Sequence, residues 1–244
     1  MNINKELSLK PQRFALLDFV RGMAILLMFI FHLAFGLSQI NLLDIHMASS
    51  PFWVGFRFII VFLFLTLVGI GLILASKKQY FYQAFFKRLA LLALYAGLIS
   101  LFSYSVRTYS YVFFGILHLI LVASLVCLLF LRFYYLNLLL AIFALMMNWI
   151  KFSWFDDKHY FIWLGLSHNR PITDDFAPLL PWIGFVFLGL FMGRFLFEKN
   201  SFPYLSDWTA RNFITRLITW GGRYSIHLYF VHFQFFYFLV WFFN

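Results

Sequence analysis

Asp18, Arg21 and His32 stand in one long apolar stretch, where each ionisable group costs about 2.5–3.5 kcal/mol to insert into a bilayer and so calls for a function. Asp18 and Arg21 are three residues apart, close enough to pair along a helix. Arg21 and His32 are eleven apart. At about 100° per residue they return to within roughly 20° of one face, some 16 Å apart along the axis. One helix face thus offers a cation toward one side of the membrane and an imidazole toward the other. Arg57 and His118 lie about five and eight residues inside two further apolar segments, which at about 1.5 Å per residue brings them to the depth of His32. Asp175, followed by Pro178, Pro181 and Trp182, stands at the mouth of another. A histidine of near-neutral pKa can deprotonate a hydroxyl or amine, or accept an acyl group itself. A cation about three turns deeper can hold the phosphates of a donor arriving from the cytoplasm, where thioesters are made. The layout suits acyl transfer across a membrane. It also suits a non-enzymatic carrier or channel for a small polar solute, and both readings stay open on these residues alone.

Several polar residues have plainer roles. His227 and His232 fit hydrogen bonding between helices, Arg57 has the length to snorkel to the interface, and His46 in the first loop fits a solvated side chain. Cys127 is the single cysteine, so no intrachain disulfide is available, and it sits in an apolar run as packing. No metal site is expected.

The elements that position these groups follow from composition. Hydrophobic residues make up 64% of the 244, charged residues 11%, and mean hydropathy is +0.86, against about 25% charged in ordinary soluble chains. This excludes a water-soluble protein. The net charge of +10 comes from basic residues scattered between apolar segments, a pattern of membrane topology rather than nucleic-acid binding. The expected fold is all-α: one domain over residues 1–244, a polytopic bundle with spans near 14–37, 52–76, 89–106, 110–131, 134–152, 178–197 and 223–243. The first segment is too long for a signal-peptide core and has no small-residue cleavage site, so it is kept as a helix. The third and fourth are separated by Arg107, Thr108 and Tyr109 and should form a tight hairpin. Connections on one side carry thirteen Lys and Arg, among them Lys5, Lys10, Arg13, Lys87, Arg88, Arg132 and Arg194, against four on the other, Arg107, Lys151, Lys158 and Arg170. The N-terminus is therefore expected in the cytoplasm and the C-terminus outside. Residues 206–220 read as an amphipathic helix on the cytoplasmic surface, capped by Ser206 or Asp207, with arginines that meet anionic lipid. Residues 153–177, with Asp156, Asp157, His159, His168, Asp174 and Asp175 among aromatics, read as a lid. No internal repeat is visible, which speaks against a transporter of inverted halves.

The order Arg13, Asp18, Arg21, Gly22, His32 resembles the heparan-α-glucosaminide N-acetyltransferase catalytic-domain family and its short bacterial relatives within the membrane acyltransferases. The resemblance continues in residues 114–118, in residues 175–184, and in Gly222, Arg223, Tyr224 and Ser225 with Tyr229 and His232 beyond. It covers nearly the whole chain. It implies an acetyltransferase in a cell membrane, the bacterial inner membrane here, taking acetyl-CoA from the cytoplasmic side and passing acetyl to a sugar, amino sugar or glycan outside. The donor-binding candidates are Arg21, Asp18, Arg57, Arg223 and Ser225. The catalytic candidates are His32, His46, His118 and Asp175. Spacing to Arg21 points to His32, whereas the catalytic histidine of the family's lysosomal member resembles His46 in position. Relatives tend to carry His-Gln-Pro near the end, where this chain has His232, Phe233 and Gln234. A homo-oligomer is compatible with the sequence, which does not fix the oligomeric state.

Overall fold

The structure, a computed structural model, describes residues 14–47, 49–106, 109–173, 175–197 and 208–243. Its helices are α1 (Ala15–Gln39), α2 (Pro51–Ser76), α3 (Phe81–Val106), α4 (Ile116–Leu128), α5 (Tyr135–Met146), α6 (Leu179–Phe197), α7 (Phe213–Arg223) and α8 (Ser225–Phe243). Short 3-10 turns, Met147–Trp149, Ser153–Phe155 and His159–Leu164, fill the connection between α5 and α6. Among the described residues, α1, α2, α3 and α6 are long and apolar enough to cross a membrane. The 25 residues of α1 extend about 37 Å at 1.5 Å each, more than the roughly 30 Å of a hydrocarbon core.

The core lies where α2, α4 and α6 meet. Leu65, Leu119, Val186 and Leu190 are fully buried there, and Cys127 is buried with them. A Cβ on Gly69 would lie 2.1 Å from the Val186 carbonyl oxygen, and one on Gly189 would lie 2.2 Å from that of Thr66. Small residues let the two backbones touch, the usual basis of helix association where lipid removes the hydrophobic drive. Leu94, Leu101, Leu139 and Phe143 remain exposed on the outer faces, as lipid contact requires.

Local chemistry moves several boundaries from their expected places. The third helix starts at Phe81 rather than residue 89, so Lys87 and Arg88 lie in a helix and the connection shrinks to residues 77–80. The hairpin between α3 and α4 is not tight. Residues 109–115 are non-helical, and Ser103 Oγ accepts from Val112 N at 2.9 Å while Ser100 Oγ donates to Val112 O at 2.7 Å. Phe114 then pairs with Phe176 in an isolated bridge, Ala177 N donating to Phe114 O at 3.0 Å. This stretch replaces the first turns of the expected span 110–131, leaving α4 with 13 residues, about 20 Å. Likewise α5 stops at Met146 instead of continuing to residue 152. Such backbone is compatible with membrane depth when buried in protein or lining a cavity.

The amphipathic helix falls at Phe213–Arg223 instead of 206–220, because Asn212 supplies the cap and accepts from Thr215 N at 2.8 Å. Ser206 and Asp207, like Lys5, Lys10, Arg13, Arg107, Asp174 and Lys199, lie outside the described residues. The exposed face of this helix carries Phe213, Ile214, Leu217 and Trp220.

Candidate functional site

α1 carries polar groups at two depths, and a cavity opens at each. At the Arg21 end, Asp18 is buried, accepts from Arg21 Nη1 at 3.2 Å and lies 3.6 Å from Arg223 Nε. Such closeness depends on two glycines. A Cβ on Gly222 would lie 1.7 Å from the Asp18 carbonyl oxygen, and one on Gly22 would lie 1.9 Å from that of Ile218, so α7 is pressed against α1 and presents Arg223 to the carboxylate. A buried carboxylate needs such partners, since removing them leaves an uncompensated charge. Arg21 Nη2 lies 2.7 Å from where a Gly71 Cβ would stand, so the guanidinium crosses the face of α2. It then borders a cavity of about 40 Å³ shared with Arg88 of α3 and Ser225 of α8. Arg88 is close enough to Arg21 for the two charges to repel.

At the His32 end a cavity of about 630 Å³ opens between α1, α2, α8 and the long connection. Among the described residues, His32 is the histidine on its wall. Its Nδ1 lies 2.9 Å from Met28 O. A carbonyl only accepts, so Nδ1 carries the hydrogen and Nε2 of the neutral ring keeps its lone pair. Behind it His232, packed edge to face at 4.9 Å, also directs Nδ1 to a carbonyl, that of Tyr229. Its buried Nε2 has no hydrogen-bond partner among the described residues.

Asp175, also on the cavity wall, accepts from Ile116 N at 3.1 Å and from the Tyr229 hydroxyl. The carboxylate thereby caps α4, whose first N–H groups lack intrahelical partners. Arg57 lines the same cavity and so stands apart from the Arg21 pocket. Lys151 and Arg170 complete its charged wall, Lys151 donating to Gly165 O at 2.6 Å. Desolvation, and secondarily the charge of Arg170, lower the Lys151 pKa. The long connection thus supplies part of the wall, and it is held together by Asp156, which accepts from Ser167 Oγ at 2.9 Å and His168 N at 2.8 Å. His168 N, followed by the Ser167 hydroxyl and the His168 ring, holds the Asp156 carboxyl below the usual carboxylate range.

The remaining histidines lie elsewhere. His118 Nδ1 accepts from Gly115 N at 3.3 Å, so Nε2 carries the hydrogen toward Ser100 Oγ at 3.3 Å. Both nitrogens are engaged in closing the turn before α4, and His118 is outside the cavity lining. His227 meets the Tyr95 hydroxyl at 2.7 Å across two helices. His46 is exposed in the loop after α1; its neighbour Met47, not His46 itself, reaches the cavity.

Sequence reading passed over two positions. Arg88 reads in the sequence as a topological cation, although the apolar run extends back to Phe81 and encloses it in α3. Tyr229 had no signal beyond its place in a motif, yet it borders both cavities, as do Phe64 and Ile116. These three side chains form the partition between a pocket with two guanidiniums and a chamber with an unprotonated imidazole nitrogen. That arrangement can hold a phosphate-bearing group on one side and withdraw a proton on the other.

Among the described residues no group of three or more His, Cys, Asp or Glu is placed to hold a metal ion. No curated protein and no solved structure matches the chain. The family model described as heparan-alpha-glucosaminide N-acetyltransferase, catalytic, matches residues 13–234. With nearly its whole length matched, the chain belongs to that family of N-acetyltransferases.

Proposed function

We propose that this multi-pass membrane protein takes acetyl-CoA from the cytoplasm at the Arg21 end and transfers the acetyl group to an amino sugar or glycan held at the His32 end, outside the cell. The bias of Lys and Arg between spans supports a cytoplasmic N-terminus, and the setting proposed is the bacterial inner membrane. The observation that supports this reading most is the back-to-back placement of the two cavities across Phe64, Ile116 and Tyr229. Arg21 and Arg88 suit the donor's phosphates, with Asp18 and Arg223 holding Arg21 in place and Ser225 beside it. A space of about 40 Å³ holds only about one water, so donor binding requires the ends of α3 and α8 to part there.

In the transfer, the acceptor nitrogen attacks the thioester carbonyl, His32 Nε2 takes the proton that nitrogen loses, and the carbon–sulfur bond breaks. The thiolate leaves and recovers the proton from His32. Asp175 and Tyr229 position α4 and the partition. His118 and His46 have no part in this scheme, the first because both its nitrogens are committed and the second because it is exposed away from the chamber.

The test is a thermal-shift titration of the purified protein with CoA and acetyl-CoA, followed by acetyl transfer to glucosamine enclosed in proteoliposomes. A ligand at a hundred times its Kd stabilises by about 2.7 kcal/mol, easily read as a shift in Tm. Solute uptake without any response to CoA would replace this reading with a carrier.

A further inference from the structure

The larger cavity carries a charge pattern that the transfer chemistry does not use. Among the described residues its wall holds three cations, Arg57 from α2, Lys151 from the chain after α5, and Arg170 from the long connection, against one carboxylate, Asp175. Asp175 is already satisfied by Ile116 N and Tyr229 at the floor. With His32 neutral, these described residues leave a surplus of two positive charges. Lys151 and Arg170 face each other closely enough that the charge of Arg170, after desolvation, lowers the Lys151 pKa. Two cations brought together in a half-closed space repel unless an anion lies between them. A hydroxyl or amine acceptor with no charge of its own would leave that repulsion in place.

From this cation wall we infer that the acceptor is an anionic amino sugar, one that carries a phosphate ester beside the amine to be acetylated; the inference rests on the reading of this chamber as the acceptor site. A phosphate monoester carries about −1.5 to −2 at pH 7 and three acceptor oxygens, which matches the surplus. Lys151 serves as a point charge, and Arg57 and Arg170 as bidentate donors. Gln39 and Asn148 on the same wall supply neutral polar partners for sugar hydroxyls. The phosphate has two natural sources: a soluble sugar phosphate, or a sugar joined through phosphate to a lipid and reaching the chamber from the membrane.

Binding is measured without a donor, by calorimetry on the protein in nanodiscs of uncharged phosphatidylcholine, with glucosamine, glucosamine 6-phosphate and a phosphate-linked glucosamine lipid as probes. Glucosamine 6-phosphate is expected to bind at least about tenfold more tightly than glucosamine, as one charge-assisted contact already allows. Lys151→Met with Arg170→Gln should reduce that preference about 10–100-fold, and Lys151→Arg should restore part of it. Tighter binding of the lipid probe than of the soluble one assigns the phosphate to a lipid, and the reverse assigns it to a free sugar; either supports the proposal. Equal affinity for glucosamine and its phosphate overturns it, as does a preference unchanged in the double variant. Phosphatidylglycerol in the nanodisc that abolishes the preference also overturns it, because the cations are then headgroup anchors. Sugar-phosphate binding that depends on Lys151 and Arg170, in a protein that transfers no acetyl group, supports this inference and overturns the proposed function.

Discussion

His32→Ala separates chemistry from folding. The substitution removes the histidine on the wall of the larger cavity together with its bond to Met28 O at 2.9 Å. Met28 O keeps a helical partner in the backbone, so no buried acceptor is orphaned. The other losses are edge contacts with Phe31 and His232 at centroid distances of 5.6 and 4.9 Å and a stacked contact with Phe236 at 6.1 Å. A partly exposed side chain with these contacts costs about 1 kcal/mol of stability on removal. Loss of a positioned base costs about 10²–10⁴ in rate, which at 1.36 kcal/mol per decade is about 2.7–5.5 kcal/mol on the barrier. The variant should therefore be folded, should still be stabilised by CoA, and should be nearly inert. The assay follows labelled acetyl transfer to the acceptor, with CoA binding measured on the same preparation. His46→Ala is the matched control and should transfer at close to the parent rate. Transfer near the parent rate in His32→Ala, with loss in His46→Ala, refutes the argument from tautomer and cavity and moves catalysis to the loop after α1.

Three further outcomes are expected. Arg88→Gln should weaken CoA binding about tenfold or more by deleting one charge-assisted phosphate contact, while leaving unliganded stability equal or higher because its repulsion with Arg21 is relieved; calorimetry and thermal melts read the two effects. The Asp156 carboxyl is held below its unfolded pKa of about 3.9, so its contribution to stability is present above that value and is lost as pH falls through the lower, folded one. Melts taken from pH 7 down to pH 3 should therefore show the parent losing stability more steeply below about pH 4 than Asp156→Asn. Reporters inserted after Lys78 and after Arg170 should lie on opposite sides of the membrane, that after Lys78 in the cytoplasm, as protease protection would show.

Membrane character and the α1 face were legible in the sequence because both depend on local quantities, apolar content and angular spacing. Asp18 and Arg21 do pair at 3.2 Å, and the eleven-residue step does take His32 to a different cavity from Arg21. The boundaries of α3, α4 and α7 were not legible, since each depends on a partner remote in sequence or on a cap. Asp175 sets the start of α4 through Ile116 N, 59 residues away, and Asn212 sets the start of α7. Depth arithmetic groups His118 with His32 but says nothing of direction. Ser100 and Gly115 engage both His118 nitrogens, and neither relation has a sequence signal. Arg88 was misplaced for the opposite reason: its charge outweighed the apolar run around it, although a guanidinium inside a span is tolerated where helices leave it a polar space.

The partition also bears on the choice between transferase and carrier. A carrier exposes one site alternately to the two sides and so needs a path along which the whole solute passes. Here the two cavities share Phe64, Ile116 and Tyr229 as wall residues, and His32 lines the larger one but not the smaller. A two-carbon group on a thioester, by contrast, need only reach past two aromatic rings and one aliphatic side chain to meet His32 Nε2. Tyr229→Phe tests this division. Without its hydroxyl the ring loses its hold on Asp175 while the barrier keeps its bulk, so transfer should change severalfold and the membrane should stay tight to small solutes. A leak of solute through Tyr229→Phe, with transfer unaffected, would mean that the ring guards a conduit rather than a point of reaction.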